Sequence, residues 1–124
     1  MAAPNIVNVT SIYGRTQYGT LGTTILAYAN NPSNSGKVYK INTITVANID
    51  GTNAADVTVQ ITTSSSTGAL WYLARTISVP ADSTLVVTSK DTSFYLEENR
   101  AIRAFASASS DLSIMVSYDE LDDA

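Results

Sequence analysis

No histidine and no cysteine occurs among the 124 residues of this chain. Histidine is the usual general base near neutral pH, and His and Cys are the main soft-metal ligands. The common His-dependent triads and zinc sites are therefore excluded at the outset. A fold without Cys does not depend on redox state, and the lack gives no evidence for secretion. Charge is also scarce, at 15% of residues, well below the usual ~25%. No apolar run approaches the ~18 residues of a membrane span. Met1-Ala2-Ala3-Pro4-Asn5 offers neither a basic n-region nor an apolar h-region, so the expectation is a soluble chain made in a cytoplasm.

Ser and Thr fill the space that charge leaves, together a quarter of the chain, alongside a hydrophobic share of 44%. Thr, Val and Ile at low charge suit a pleated sheet with a neutral outer face, not a disordered segment. The same composition suits an assembly surface, because interface cores are depleted in charge. Net charge is −4, and four of the eleven acids lie in the last six residues: Asp119, Glu120, Asp122 and Asp123. The rest of the chain is balanced, so the acidity is expected to belong to a C-terminal tail over 119–124. No basic patch exists, which argues against nucleic-acid binding.

The length fits one domain over 1–124. Ile6 to Tyr13 reads as a short first strand ending at Gly14, and residues 15–22 as loop or irregular hairpin. Residues 23–28 read as a second strand, and residues 30–36 as a loop dense in Asn, Pro, Ser and Gly. Residues 37–49 form a long strand whose apolar phase slips between Ile41 and Ile44, implying a bulge or a bend between sheets. Val57, Val59 and Ile61 alternate with Thr58, Gln60 and Thr62. Trp71, Leu73, Ile77 and Val79 share one parity in a strand ended by Pro80. Shorter fragments follow around 85–87 and 94–96, then a strand around Ile102 to Ala106. Leu112, Ile114, Val116 and Tyr118 against Ser113, Met115, Ser117 and Asp119 give the clearest alternation. About eight strands with regular turn signals predict an all-β fold: a single antiparallel sandwich, jelly-roll-like.

Catalytic constellations are weak. Ser89-Lys90 and Ser35-Gly36-Lys37 are neighbours in loops and read as solvated residues. Glu97 and Glu98 sit side by side in a turn and point apart, unlike the carboxylate pair of a glycosidase. Residues 50–56 lack the acidic spacing of a calcium loop and read as an Asp-Gly turn. No cofactor or metal is expected, and an enzyme is the least supported reading. Trp71 and Tyr72 should face opposite ways, one in the core and one on the surface. Trp71 as a core anchor and Tyr72 with Tyr13 and Tyr18 as a contact surface for sugar or protein both stand open.

An ordered set of segments carries a family resemblance. It runs from Gly36-Lys37-Val38-Tyr39-Lys40-Ile41-Asn42 through Val46-Ala47-Asn48-Ile49-Asp50-Gly51-Thr52-Asn53-Ala54-Ala55-Asp56-Val57-Thr58-Val59. Ile77-Ser78-Val79-Pro80-Ala81, Tyr95-Leu96-Glu97-Glu98, Ile102-Arg103-Ala104-Phe105-Ala106-Ser107-Ala108 and Val116-Ser117-Tyr118-Asp119-Glu120 follow. The set resembles small β-sandwich virion proteins of tailed bacteriophages, especially those of marine bacteria and cyanobacteria, over about two thirds of the chain. Many of those have Gly-Asp after the Leu-Glu pair. Here Glu98-Asn99 stands there, and Asn tolerates the left-handed region that such a turn uses.

The resemblance implies a non-enzymatic structural protein of the virus particle. The first expectation is a capsid decoration (cement) protein on the capsid exterior, a homotrimer that bridges adjacent subunits of the major capsid protein. A tail, neck or fibre component is the alternative, and a carbohydrate-binding attachment module the alternative from another class. An N-terminal arm over 2–12 is expected to add a strand to a neighbour. The candidate partner contacts are Ile6, Val7, Val9, Tyr13, Trp71, Tyr72, Asp119 and Glu120.

Overall fold

Alternation of apolar and polar residues builds nine strands in the computed structural model, which describes residues 9–63 and 70–122. They are β1 (Ser11–Thr20), β2 (Leu26–Asn31), β3 (Lys37–Asn48), β4 (Ala55–Thr63), β5 (Leu70–Val79), β6 (Thr84–Thr88), β7 (Phe94–Leu96), β8 (Arg100–Ala106) and β9 (Leu112–Asp122). A single 3₁₀ turn, Lys90–Thr92, joins β6 to β7. One sheet has the order β1-β9-β3-β6, with β7 also on β3, and the other β2-β8-β4-β5. All pairings are antiparallel. These two four-strand orders are those of a jelly roll, as the strand pattern predicts.

The apolar phase of each central strand faces inward. Leu112, Ile114, Val116 and Tyr118 on β9 meet Ile41, Ile44 and Val46 on β3, and Val57 and Val59 on β4, in one buried cluster. Each fully buried Ile, Leu or Val contributes roughly 1.5–3 kcal/mol relative to exposure. The phase slip in β3 is a bulge: pairing with β9 shifts register between Ile41 and Thr43. Asn42 is the extra residue, and it keeps both Ile41 and Ile44 inside at 0% exposure. Asn99 occupies the left-handed region at φ 61°, so the turn after Leu96-Glu97-Glu98 forms without glycine.

Three local expectations are corrected. Residues 15–20 are strand, not loop. As an edge strand, β1 needs no continuous apolar face, and Gly19 serves a close approach: a Cβ there would lie 2.9 Å from Tyr28 Cε1. The second strand lies three residues later than expected and includes Asn30 and Asn31. Residues 9–12 are not free as an arm, because Thr10 N–H donates to Asp122 O (2.9 Å) and Ser11 and Ile12 pair with β9. Residues 2–8 of the expected arm lie outside the described residues.

Asn31 is out of contact with solvent because its amide replaces a backbone partner between the sheets. Its Nδ2 donates to Lys37 O and Leu96 O, both 3.0 Å away in the opposite sheet, and Ser35 Oγ donates to its Oδ1. Asn48, in the other sheet, is its counterpart at the far end of β3. Its Nδ2 donates to Val79 O and Asn53 O (both 2.9 Å), and its Oδ1 accepts Asp50 N–H. These two buried amides staple the sheets where no apolar side chain could satisfy the carbonyls.

Candidate interaction surfaces

One face offered to a partner is the outer side of the β1-β9-β3-β6 sheet. Register places its side chains in rows across four strands. Tyr18, Met115, Thr45 and Val86 form one row. Thr16, Ser117 and Thr43 flank it on one side, and Thr20, Ser113, Ala47 and Thr84 on the other. None of these residues is charged. Tyr18 is 74% exposed, Met115 50% and Val86 57%, so the central row is an apolar stripe in a Ser/Thr surround. One row further along β9, Asp119 stands opposite Lys40, and charge begins there.

The expected contact residues scatter around this face. Ile6 and Val7 lie outside the described residues, and Val9 is half-buried just before β1. Tyr13 lies on β1 but turns to the inner side, beside Glu120, with the Arg15 guanidinium 5.4 Å from its ring centroid. Trp71 and Tyr72 stand together at the start of β5, at 55% and 46% exposure. The expectation that one of them enters the core is therefore corrected. β5 is an edge strand whose register breaks twice against β4, and Thr76 sits at φ 52°. Trp71 lies opposite Ile61 at the start of the strand and does not join the core, whereas Leu73, Ala74 and Val79 further along the strand pack on it.

Asp119 and Glu120 are not tail residues. Both belong to β9, which continues to Asp122 between β1 and β3. Glu120 points inward, 5% exposed, and its carboxylate is held by two cations. Arg15 Nε lies 3.3 Å from Oε1, and Lys37 Nζ lies 3.5 Å from Oε2. A buried carboxylate needs such compensation, and here one acid ties β1 and β3 to β9. Tyr39 and Tyr118 stack beside it with centroids 4.7 Å apart, and the Tyr39 hydroxyl donates to Asn30 O (3.2 Å). Burial, and then the Glu120 charge, push the Tyr39 phenol up to about 12. Together with Gln17 and Tyr28 these side chains line a crevice between the two edge strands β1 and β2.

Other candidate chemistry dissolves into structure. Glu98 accepts Gly36 N–H (2.9 Å) and joins two loops, while Glu97 faces solvent. Asp50 accepts Thr52 N–H (2.8 Å) and Asn53 N–H (3.3 Å), which lowers its pKa and makes it a turn-forming acid. Sequence reasoning passed over Met115 and Val86 as contacts. The available signal was Met115 itself, an apolar residue in the Ser/Asp phase of β9.

No protein-family model matches the chain, and none of the curated proteins does. Its fold does have solved relatives. A chain from the disulfide-linked pili of Bacillus endospore appendages superimposes with a TM-score of 0.55 at 17% identity, covering 92% of this chain and 88% of that one. A chain from the acid-stable capsid of a Helicobacter pylori bacteriophage gives 0.53 at 8% identity, covering 94% and 91%. At such identities the likeness is one of fold, and this chain shares the jelly-roll sandwich with both.

Proposed function

We propose that the chain is a non-enzymatic structural protein of a bacteriophage particle, and within it a capsid decoration protein. The observation that carries the reading is the uncharged part of the outer face of the β1-β9-β3-β6 sheet, from the Thr16–Thr43 row to the Thr20–Thr84 row, with its exposed Tyr18–Met115–Val86 stripe. Soluble monomers seldom leave an exposed apolar patch rimmed by polar residues without a use. Such a face can lie on a preformed lattice without desolvating any ion, so even a modest contact is favourable and many copies add up. The two fold relatives come from a capsid and a pilus, both built from repeated copies, which supports a role in an assembly.

In this reading the partner is the major capsid protein, the place is the capsid exterior, and three copies sit about each three-fold position. Neither nucleic acid nor membrane takes part. The second reading, a tail, neck or fibre component, draws on the pilus relative and on the apolar β5 edge at Leu70, Trp71 and Tyr72.

Binding of the purified chain to particles that lack it tests the assignment. Met115→Glu or Thr45→Glu places a charge in the middle of the face, on side chains that do not enter the core. The expected result is loss of binding with an unchanged fold, while Trp71→Ala binds as the parent does. Full binding by both outer-face variants would remove the face from the proposal.

A further inference from the structure

We propose that β1 is a self-association edge, pairing antiparallel with β1 of a second copy about a two-fold axis at Thr16. Sheet edges invite strand addition unless they are blunted, and three of the four ends here are. β6 has five residues and shares its edge with the three-residue β7. β5 breaks register twice and carries Thr76 at φ 52°. β2 shifts register between Ala27 and Ala29. β1 alone runs ten residues in unbroken register, without proline, and with Arg15 its one charged residue.

The free groups of β1 can be named. Leu21 N–H donates to Leu112 O (2.7 Å), and Thr20 lies opposite Ser113, so the odd-numbered residues turn their backbone toward β9. Backbone direction alternates along an antiparallel strand. The N–H and C=O groups of Ile12, Gly14, Thr16, Tyr18 and Thr20 therefore point to the open edge.

A two-fold axis normal to the sheet pairs even residues with even, and keeps the two outer faces on one side. Centring it at Thr16 sets Gly14 against Tyr18 of the second copy, and Tyr18 against its Gly14. Gly14 has nothing within 4 Å of where its Cβ would be, and Tyr18 is 74% exposed. An aromatic ring over a cross-strand glycine fills that gap. Arg15 then faces Gln17. One step to either side is worse. Centring at Arg15 sets Arg15 against itself, a like-charge pair, and centring at Gln17 leaves Gly14 opposite Thr20 with no ring. The chosen register keeps the two outer faces on one side of the joined sheet, with the Tyr18–Met115 row of each copy continuing into the Gly14–Asp119–Lys40 row of the other.

This inference concerns the isolated protein and does not depend on the capsid assignment, so each can fail alone. The test is the mass of the full chain by light scattering at tens of micromolar, with three variants. The wild type should weigh twice 13.2 kDa, or an even multiple of it. Thr16→Pro deletes one outward N–H, which an edge strand tolerates, and should weaken association at least tenfold. Thr16→Val should leave it intact. Thr16→Cys gives a chain with one cysteine whose partner Cα lies about 5.5 Å away across a hydrogen-bonded pair, so a short bifunctional thiol reagent, which spans a gap too wide for an unstrained disulfide, should yield a covalent dimer. The cross-link keeps the test valid if the proline variant unfolds. A monomer mass, a cross-link that fails to form, or an oligomer that folded Thr16→Pro leaves unchanged would each overturn the pairing.

Discussion

Replacing Asn48 by Ala should cost far more than its polarity suggests. The side chain makes three hydrogen bonds, and truncation strips all of them at once. Val79 O is buried and has no route to water, so orphaning it costs about 1–3 kcal/mol. Asn53 O and Asp50 N–H are half-buried and can rehydrate, which limits the loss to about 0.5–1.5 kcal/mol for each. The total is about 2–6 kcal/mol, with about 4 kcal/mol at the middle of the range. For a domain of this length each kcal/mol moves Tm by roughly 3–5 °C, so the middle value lowers the midpoint by about 12–20 °C. Urea unfolding followed by circular dichroism, at one fixed protein concentration, measures it.

Asn48→Asp is the informative companion. It keeps an acceptor for Asp50 N–H but turns the donor toward Val79 O into a carboxylate oxygen. At neutral pH it should be at least as damaging as Ala, and it should recover part of the loss in acid, where the carboxyl becomes a donor. Asn30→Ala, one residue from the other staple and solvent-facing, should stay within about 0.5 kcal/mol of the parent. If Asn48→Ala costs less than about 1 kcal/mol, the amides do not staple the sheets and the reasoning fails.

Alkaline titration should resolve one phenol ionising near 12, absent from Tyr39→Phe. A tyrosine pKa raised on folding contributes stability that is complete below the unfolded value near 10.0 and is lost as pH climbs to about 12, so unfolding midpoints should fall across that window. Gly19→Ala should destabilise by about 1–3 kcal/mol through the clash with the Tyr28 ring, whereas Gly14→Ala should be tolerated by the folded monomer; thermal melts of the pair decide. Trp71 should show full quenching by acrylamide in the native state, and a buried indole signal would restore the core-anchor reading.

The parts of the fold written in period-two alternation were legible. β9 buries one face, and β4 sets Val57, Val59 and Ile61 in one phase against Thr58, Gln60 and Thr62 in the other, so both sequences carry the pattern even though both phases of β4 are largely buried. The slip in β3 was equally readable, because a bulge changes parity and parity is visible. Elements whose stability comes from something other than an apolar face were not. β1 has two glycines and an inward Arg15, and it is a strand because β9 pairs with all ten residues and Glu120 holds the arginine. Asn31 looks like a turn residue, and only the opposite sheet, supplying Lys37 O and Leu96 O, makes it a strand end. Glu120 reads as part of an acidic tail until Arg15 and Lys37 are brought beside it from positions far away in the chain. Trp71 keeps the core parity of its strand but lies at the strand's start, opposite Ile61, and its exposure depends on where the sheet ends rather than on parity.

Electron cryomicroscopy of intact virus particles is the most direct test of the proposed assignment of this chain to a capsid surface. The expected result is density at three-fold or quasi-three-fold positions on the outside of the shell, with the Tyr18–Met115–Val86 face turned toward the major capsid protein. Density confined to the portal, neck or tail, or none in the particle at all, would contradict it.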